Sequence, residues 1–386
     1  MAATARLAWV DTARGAALLL VVVYHAFLFA LAGGLTAGAA ASAWGQLVGA
    51  AGAVRMPLFF FLSGLLAARA LDRPWPVLVR GRVGTHLWLY VLWASVAYAV
   101  FSVVPYQREG APDGPLLWAE TTFWLPRNAA WYLLALALFV VAGRLLRRAA
   151  TGPLLLGATA VALGTSAGAH SGVLPVPSFV WFNVATLFVF FAAGSRAGRW
   201  APALVQRCSG TLVAGGLLAA VGAVALLAAR AQLLAVPGVS LLLGAAGVVA
   251  GLAVAGRLAP TAPGRALARL GRDTLGVYVL HEVVLGCLVA VVLAVTGAAR
   301  LVAAGSGAGE LVSWLAVPVL VVAALVAAVA LTVPLRRVRG ALGAPWRRGT
   351  APTAGAVTVL PPQRSAGGAP APGSPGEPSG RAAGRR

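Results

Sequence analysis

The chain has 386 residues, of which 60% are hydrophobic and only 10% are charged, and its mean hydropathy is +0.88. Soluble domains carry about 25% charged residues, so this composition excludes an ordinary soluble protein. The net charge of +21 comes from arginines that separate long apolar runs, which argues against nucleic-acid binding. Cys208 and Cys287 lie in different segments without metal-ligand spacing, so we predict neither a disulfide framework nor a metal site.

Apolar stretches long enough to cross about 30 Å of hydrocarbon recur along the chain. They predict an all-α, polytopic membrane protein with about ten transmembrane helices. In chain order, the predicted spans are Ala16–Leu31, Gly45–Ala67, Thr85–Val104, Asn128–Ala142, Pro153–Ala169, Ser178–Gly194, Thr211–Ala229, Leu233–Ala255, Leu275–Val295 and Leu311–Val333. An alternative for the first run is a signal peptide, because small residues follow it at positions 39–43. The run is long for that role, so we favour a membrane helix.

The arginines predict the direction in which each helix crosses the membrane, because short cytoplasmic loops collect positive residues. With few exceptions, the arginines lie before the first span, in every second connection, or after the last span. The exceptions are Arg55, Arg108, Arg127, Arg230 and Arg300. This pattern predicts that both termini are cytoplasmic, and we expect the protein to lie in the cytoplasmic membrane.

Two regions follow from the change of composition near the C-terminus. Residues 1–340 are predicted to form the transmembrane domain. Residues 341–386 are rich in Pro, Gly, Ala and Arg and have no hydrophobic periodicity, so they are predicted to be a disordered cytoplasmic tail.

Ionisable side chains inside the spans predict a buried polar site, because each costs a few kcal/mol in hydrocarbon and needs a partner or a function. The helix rise places His25 about 16 Å, His281 with Glu282 about 13 Å, and Arg55 about 21 Å from the arginine-rich boundary. These four residues come from three helices and lie at similar depth. We therefore expect them to share one site.

Ser63 and Asn183, at depths of about 9 Å and 20 Å, are further candidates to line this cavity. We assign them, with Arg55, as candidate substrate-binding residues, although a single Ser or Asn is more often a hydrogen-bonding contact between helices. A neutral histidine is the usual general base near pH 7, and an arginine can hold a phosphate or an oxyanion. A proton relay or a substrate site in a transporter would use the same groups.

Three segments resemble, in order, the motifs of the acyltransferase 3 family of membrane acyltransferases. Residues 9–15 read WVDTARG, and ten residues separate Arg14 from His25, which is similar to the family's Asp-x-x-Arg-Gly opening and its arginine–histidine spacing. Residues 56–64 read MPLFFFLSG and resemble Phe-Phe-x-Leu-Ser-Gly. Residues 270–281 read LGRDTLGVYVLH and resemble Leu-Gly-x-x-Ser-Leu-x-x-Tyr-x-x-His.

The resemblance implies transfer of an acyl group, acetyl or similar, to a hydroxyl of a carbohydrate, a glycolipid or a small molecule. The donor would be a cytoplasmic coenzyme A thioester, used as a co-substrate, with no permanently bound cofactor. His25 would be the catalytic histidine and Arg14 would contact the donor's phosphates. His281 and Glu282 are then candidate catalytic residues that orient the base or relay its proton.

One departure from the family pattern concerns the donor site. Relatives often carry Arg-x-x-Arg at the start of the third helix, whereas here Arg82 is followed by Thr85 at the second position. We predict that Arg80 and Arg82 contact the donor, although both are also suitable topology determinants. The alternative function is a transporter or flippase, whose marks are an internal repeat and paired broken helices. Neither is convincing in this sequence.

Overall fold

The structure is a computed structural model that describes residues 8–104, 114–126, 128–175 and 178–346. Regular structure in these ranges is helical. The α-helices are α1 (Ala8–Ala32), α2 (Gly38–Ala67), α3 (Trp75–Leu78), α4 (Gly84–Val103), α5 (Pro115–Ala119), α6 (Trp131–Leu145), α7 (Thr151–His170), α8 (Phe179–Arg196), α9 (Trp200–Cys208), α10 (Thr211–Arg230), α11 (Val239–Leu258), α12 (Ala262–Arg272), α13 (Thr274–Val295), α14 (Ala298–Ala303) and α15 (Gly307–Leu335). Short 3₁₀ turns span Ala68–Asp72 and Leu233–Ala235, and π-helical turns span Val79–Val83 and Glu120–Trp124.

The prediction of an all-α, polytopic membrane protein is confirmed. Within the described ranges, nine helical segments are long and apolar enough to cross a membrane. The predicted fourth span differs, because α6 has only 15 residues and is therefore about 22 Å long. The three residues before it, 128–130, are not helical and line the interior of the bundle or pack within it.

Paired glycines hold α1 against α12. A Cβ atom added to Gly15 would lie 1.9 Å from the carbonyl oxygen of Leu267, and one added to Gly271 would lie 1.9 Å from the carbonyl oxygen of Asp11. Only glycine permits this close approach of two backbones. The resulting van der Waals packing holds the helices together, because lipid provides no hydrophobic driving force for their association.

A second crossing of the same kind joins α2 and α8. A Cβ on Gly64 would lie 2.0 Å from the carbonyl oxygen of Phe191, and a Cβ on Gly194 would lie 1.9 Å from that of Phe61. Gly15, Gly64 and Gly271 each belong to one of the three motif segments. Part of the motif pattern therefore encodes helix packing.

Residues beyond α15 pack back onto α4, which corrects the predicted start of the tail. The Trp93 indole donates to the carbonyl of Ala341 at 2.9 Å, and the Trp88 indole donates to that of Gly340 at 2.8 Å. Trp346 donates to the carbonyl of Arg80 at 2.9 Å. Residues 341–346 therefore belong to the folded unit, and residues 347–386 lie outside the described residues.

We expect Gly64→Ala to lower the melting temperature of the detergent-purified protein. The added methyl group collides with the α8 backbone, and such overpacking costs about 1–3 kcal/mol. Gly157→Ala is the matched control, because Gly157 is exposed on α7 with open space around its Cβ position. Fluorescence-detected thermal unfolding measures both variants. Equal melting temperatures would contradict the close crossing of α2 and α8.

Candidate active site

Two cavities lie one beyond the other along the bundle. The smaller, with a volume of about 160 Å³, is lined by Arg14 and Arg82, and we call it the arginine cavity. The larger, with a volume of about 810 Å³, is lined by His25 and Glu282, and we call it the histidine cavity. Tyr278 lines both cavities, so it lies at the boundary between them.

The order of lining residues along each helix gives the relative helix directions. On α1, Arg14 lines the arginine cavity and His25 the histidine cavity, whereas on α2, Arg55 lines the histidine cavity and Ser63 the arginine cavity. Helix α13 follows α1, since Thr274 precedes the residues that reach the histidine cavity. These opposite directions agree with the alternation predicted from the arginines. Which end is cytoplasmic stays a prediction.

The centre of the site is a contact between two histidines from α1 and α13. The ring centroids of His25 and His281 are 4.8 Å apart, and Nδ1 of His25 lies 3.3 Å from Nε2 of His281. His281 is fully buried, whereas His25 is partly exposed to the histidine cavity. The prediction that these two residues share one site with Arg55 and Glu282 agrees with this geometry.

The tautomers of the two neutral histidines follow from the backbone carbonyls they contact. A carbonyl oxygen can only accept a hydrogen bond, so the ring nitrogen that faces it must carry the proton. Nδ1 of His25 lies 2.9 Å from the carbonyl oxygen of Val21, and Nδ1 of His281 bonds to the carbonyl of Tyr278. Both Nδ1 atoms therefore carry the proton. The single Nδ1–H of His25 is therefore shared between the carbonyl of Val21 at 2.9 Å and Nε2 of His281 at 3.3 Å, and the longer contact is the weaker one. Nε2 of His25 is then the unprotonated nitrogen available to a ligand.

Glu282 has a different neighbour from the one expected. Its Oε2 accepts a hydrogen bond of 2.9 Å from the backbone N–H of Ala129, in the non-helical residues before α6. The carbonyl of the same Ala129 accepts from the hydroxyl of Tyr278. Because the side chains of adjacent helical residues diverge by about 100°, Glu282 points to this segment while His281 points to His25. Glu282 lines the cavity but is held as a backbone partner.

Arg55 lies in the histidine cavity without a full set of hydrogen-bond partners. Its guanidinium stacks 4.0 Å from the ring centroid of Tyr24, the residue preceding His25. Nη1 of Arg55 is buried and has no hydrogen-bond partner in the part of the chain that the structure describes, and the same holds for Oδ1 of Asn128. Asn183 lines this cavity as well, as predicted from its depth.

Ser63 does not line the histidine cavity, contrary to the expectation from depth. Its hydroxyl donates to the carbonyl of Phe59 at 2.8 Å and therefore accepts from the hydroxyl of Tyr132, at the wall of the arginine cavity. Ser63 is eight residues beyond Arg55, which is about 12 Å along α2. That distance carries it past the boundary formed by Tyr278.

Of the three predicted donor contacts, Arg14 and Arg82 line the arginine cavity and Arg80 does not. Arg82 lines the arginine cavity and donates to the carbonyl of Leu66 at 3.0 Å, whereas Arg80 is exposed to the exterior. Thr85, at the position of the family's second arginine, is buried and donates to the carbonyl of Gly81. His86 lines the arginine cavity in its place, and its buried Nδ1 has no partner among the described residues.

Aromatic rings separate the two cavities. The centroids of Tyr132 and Tyr278 are 5.2 Å apart, and Phe59 stacks on Tyr132 at 4.5 Å. We call these three residues the aromatic partition. A group that moves from the arginine cavity to His25 must pass it.

Several residues of the site were not assigned from the sequence, among them Asn128, Tyr132, Tyr278 and His86. The signal for Tyr278 was present, because it stands three residues before His281 in the third motif and thus on the same helix face. Tyr132 lies within an apolar run without such a signal. In the described ranges, no group of three or more His, Cys, Asp or Glu side chains has the geometry to hold a metal ion.

Comparison with known proteins gives the family. The chain matches the family model described as an acyltransferase domain over residues 7–333, which include both cavities and all three motif segments. No curated protein and no solved structure matches the chain. The chain therefore belongs to the acyltransferase 3 family of membrane acyltransferases.

Proposed function

We propose that the chain transfers an acyl group, acetyl or similar, from a coenzyme A thioester to a hydroxyl of a carbohydrate, glycolipid or small-molecule acceptor. The donor binds from the arginine cavity, the acceptor occupies the histidine cavity, and His25 is the general base. The single observation that carries this proposal is the contact of His25 with His281, which leaves Nε2 of His25 available at the cavity.

The proposed reaction begins when the acceptor hydroxyl gives its proton to Nε2 of His25. The oxygen forms a bond to the thioester carbonyl carbon, and the tetrahedral intermediate then expels the coenzyme A sulfur. The departing thiolate takes the proton from the imidazolium, so the products are an ester and a free thiol. General-base catalysis of this kind contributes about 10²–10⁴-fold to the rate.

His281 is a positioning residue in this scheme. Its Nε2 lies 3.3 Å from Nδ1 of His25 and shares the Nδ1–H with the carbonyl of Val21, and its own Nδ1–H is held by the carbonyl of Tyr278. This arrangement fixes the ring of His25 and stabilises the imidazolium that forms during proton transfer, as the third member of a catalytic triad does.

Charge and distance support entry of the donor at the arginine cavity. Arg14, Arg82 and His86 place two cations and a hydrogen-bonding imidazole around this cavity, and guanidinium groups are suited to phosphates. Arg14 is about 16 Å from His25 along α1, which suits a long pantetheine arm inserted from that end. We propose that this end faces the cytoplasm, where coenzyme A thioesters are made, and that the protein lies in the cytoplasmic membrane.

We expect His25→Ala to abolish acyl transfer and to leave membrane insertion intact, because it removes the base while the glycine crossing of α1 and α12 is unchanged. Mass spectrometry of cell-surface glycans and polar metabolites, with and without the gene, would identify the product by the mass of one acyl unit. His170→Ala is the control, since His170 is exposed at the end of α7. Retained turnover in His25→Ala would contradict the assignment. Altered uptake of a solute without any acylated product would favour a transporter.

We expect His281→Gln to retain more activity than His281→Leu. The Gln carbonyl can still accept from Nδ1–H of His25, whereas Leu fills the space without an acceptor. Both variants should lower kcat with little change in the KM for either substrate, because His281 acts through His25. Steady-state kinetics on purified protein measures this difference. Equal loss in both variants, at equal melting temperature, would indicate only a packing role.

We expect Arg82→Gln to raise the KM for the acyl donor, by roughly tenfold for the loss of one charge-assisted contact. Arg80→Gln is the matched control, because Arg80 is two residues away, equally charged and exposed outside the cavity. Its donor KM should stay near that of the wild type. Equal effects of the two substitutions would mean that the donor does not enter through the arginine cavity.

A further inference from the structure

We propose that the acceptor carries an anionic group, a carboxylate or a phosphate, close to the hydroxyl that is acylated, and that Arg55 binds this group. The inference rests on the proposed acyl transfer for the role of the hydroxyl. It adds the chemical class of the acceptor, which is an amphiphilic anion rather than a neutral sugar.

The first observation is an incompletely satisfied cation. Arg55 lies in a membrane-spanning helix, where an ionised side chain is costly unless it has a partner. Its guanidinium contacts the Tyr24 ring, but its buried Nη1 has no hydrogen-bond partner among residues that the structure describes. A bidentate anion is the group that best satisfies a guanidinium.

The second observation is that the cavity does not supply this anion itself. Among the described residues that line the histidine cavity, only Glu282 carries a carboxylate. That carboxylate accepts from the backbone N–H of Ala129 at 2.9 Å. The buried Oδ1 of Asn128 needs a donor as well, and a hydroxyl of the ligand would provide one.

The position of Arg55 excludes the donor's phosphates as its partner. Arg14 and Arg82 line the arginine cavity, whereas Arg55 lies in the histidine cavity, beyond the aromatic partition and about 21 Å from the arginine-rich boundary. An anion in reach of Arg55 therefore belongs to the acceptor. Since Arg55 neighbours Tyr24 and His25, the anion and the reacting hydroxyl lie on the same part of the ligand.

The walls of the cavity give the rest of the ligand. Most of the lining is apolar or aromatic, including Leu28, Phe182, Leu187 and Leu241. A volume of about 810 Å³ is within the range of about 300–1,000 Å³ typical of small-molecule sites. An anionic glycoside with an apolar aglycone and the headgroup of an anionic glycolipid or phospholipid share this chemistry.

Equilibrium binding of a matched pair of probes tests the inference without turnover. The full chain, reconstituted in phosphatidylcholine nanodiscs, is titrated with octyl β-D-glucuronide and with octyl β-D-glucoside, which differ in a carboxylate at C6. We expect the glucuronide to bind at least about tenfold more tightly, the usual effect of a charge-assisted contact. Arg55→Gln should remove this preference, and Arg55→Lys should retain part of it. Arg230→Gln, which removes an exposed arginine outside the cavity, should leave it unchanged.

Two further arms separate the sources of the anion. Phosphatidylglycerol added to the nanodiscs should displace the glucuronide if a lipid headgroup is the ligand, and should not displace it if the ligand is soluble. A neutral glucosyl diacylglycerol is the lipid control. Displacement and lack of displacement by phosphatidylglycerol are each compatible with an anionic ligand at Arg55, and they differ only in whether that ligand is a lipid.

Several outcomes would overturn the inference. These are equal binding of the two glycosides, binding of neither, or a preference that survives Arg55→Gln. If Arg55→Gln does not fold, two measurements still test the inference. These are the preference of the wild type for the glucuronide and the partial loss of that preference in Arg55→Lys. If Arg55→Gln lowers kcat equally with anionic and neutral acceptors, Arg55 contacts the oxyanion of the tetrahedral intermediate instead of an anionic group of the acceptor. A chain that binds the glucuronide selectively but transfers no acyl group would refute the proposed function and keep this inference.

Discussion

The site depends on the hydrogen bonding of one residue, Ala129, which is not helical although it lies inside a membrane bundle. Hydrocarbon offers no partners for a free N–H or carbonyl, so such backbone is tolerated only where protein satisfies it. Here α13 supplies both partners, Glu282 for the N–H and Tyr278 for the carbonyl. The late start of α6 leaves room for the histidine cavity. The same two bonds fix the rotation of α13, which directs His281 toward His25.

The family motifs combine packing with chemistry in the same few residues. Gly15 and Gly271 bring α1 and α12 within backbone contact, and Gly64 does the same for α2 and α8. Gly15 lies next to Arg14 and Gly64 lies next to Ser63, and both polar side chains line the arginine cavity. Close crossings at these points hold the cavity walls rigidly, so the positions of the polar groups depend on helix packing more than on loops.

Helix rise and arginine placement were sufficient to predict the fold class, the relative helix directions and the meeting of His25 with His281. They gave depth but not the rotation of each helix about its axis. This is why Ser63 and Arg80 lie outside the histidine and arginine cavities expected for them, and why Glu282 bonds to Ala129 although it lines the expected cavity. The facing neighbour of a side chain is set by packing, which hydropathy does not record. The place of residues 341–346 depends on indole hydrogen bonds from α4, and no local pattern predicts a tertiary contact of that kind.

The aromatic partition has a consequence for the membrane itself. If donor and acceptor enter from opposite ends, as proposed, the two water-accessible spaces must nearly meet. If they joined, ions and protons would cross along the same route. Phe59, Tyr132 and Tyr278 lie at the junction, with Phe59 stacked on Tyr132 and Tyr278 edge-on to Tyr132, and the two tyrosine hydroxyls bond within the protein. In the proposed reaction these three rings therefore have a second role, which is to keep the membrane closed to ions between two spaces that are only one ring layer apart.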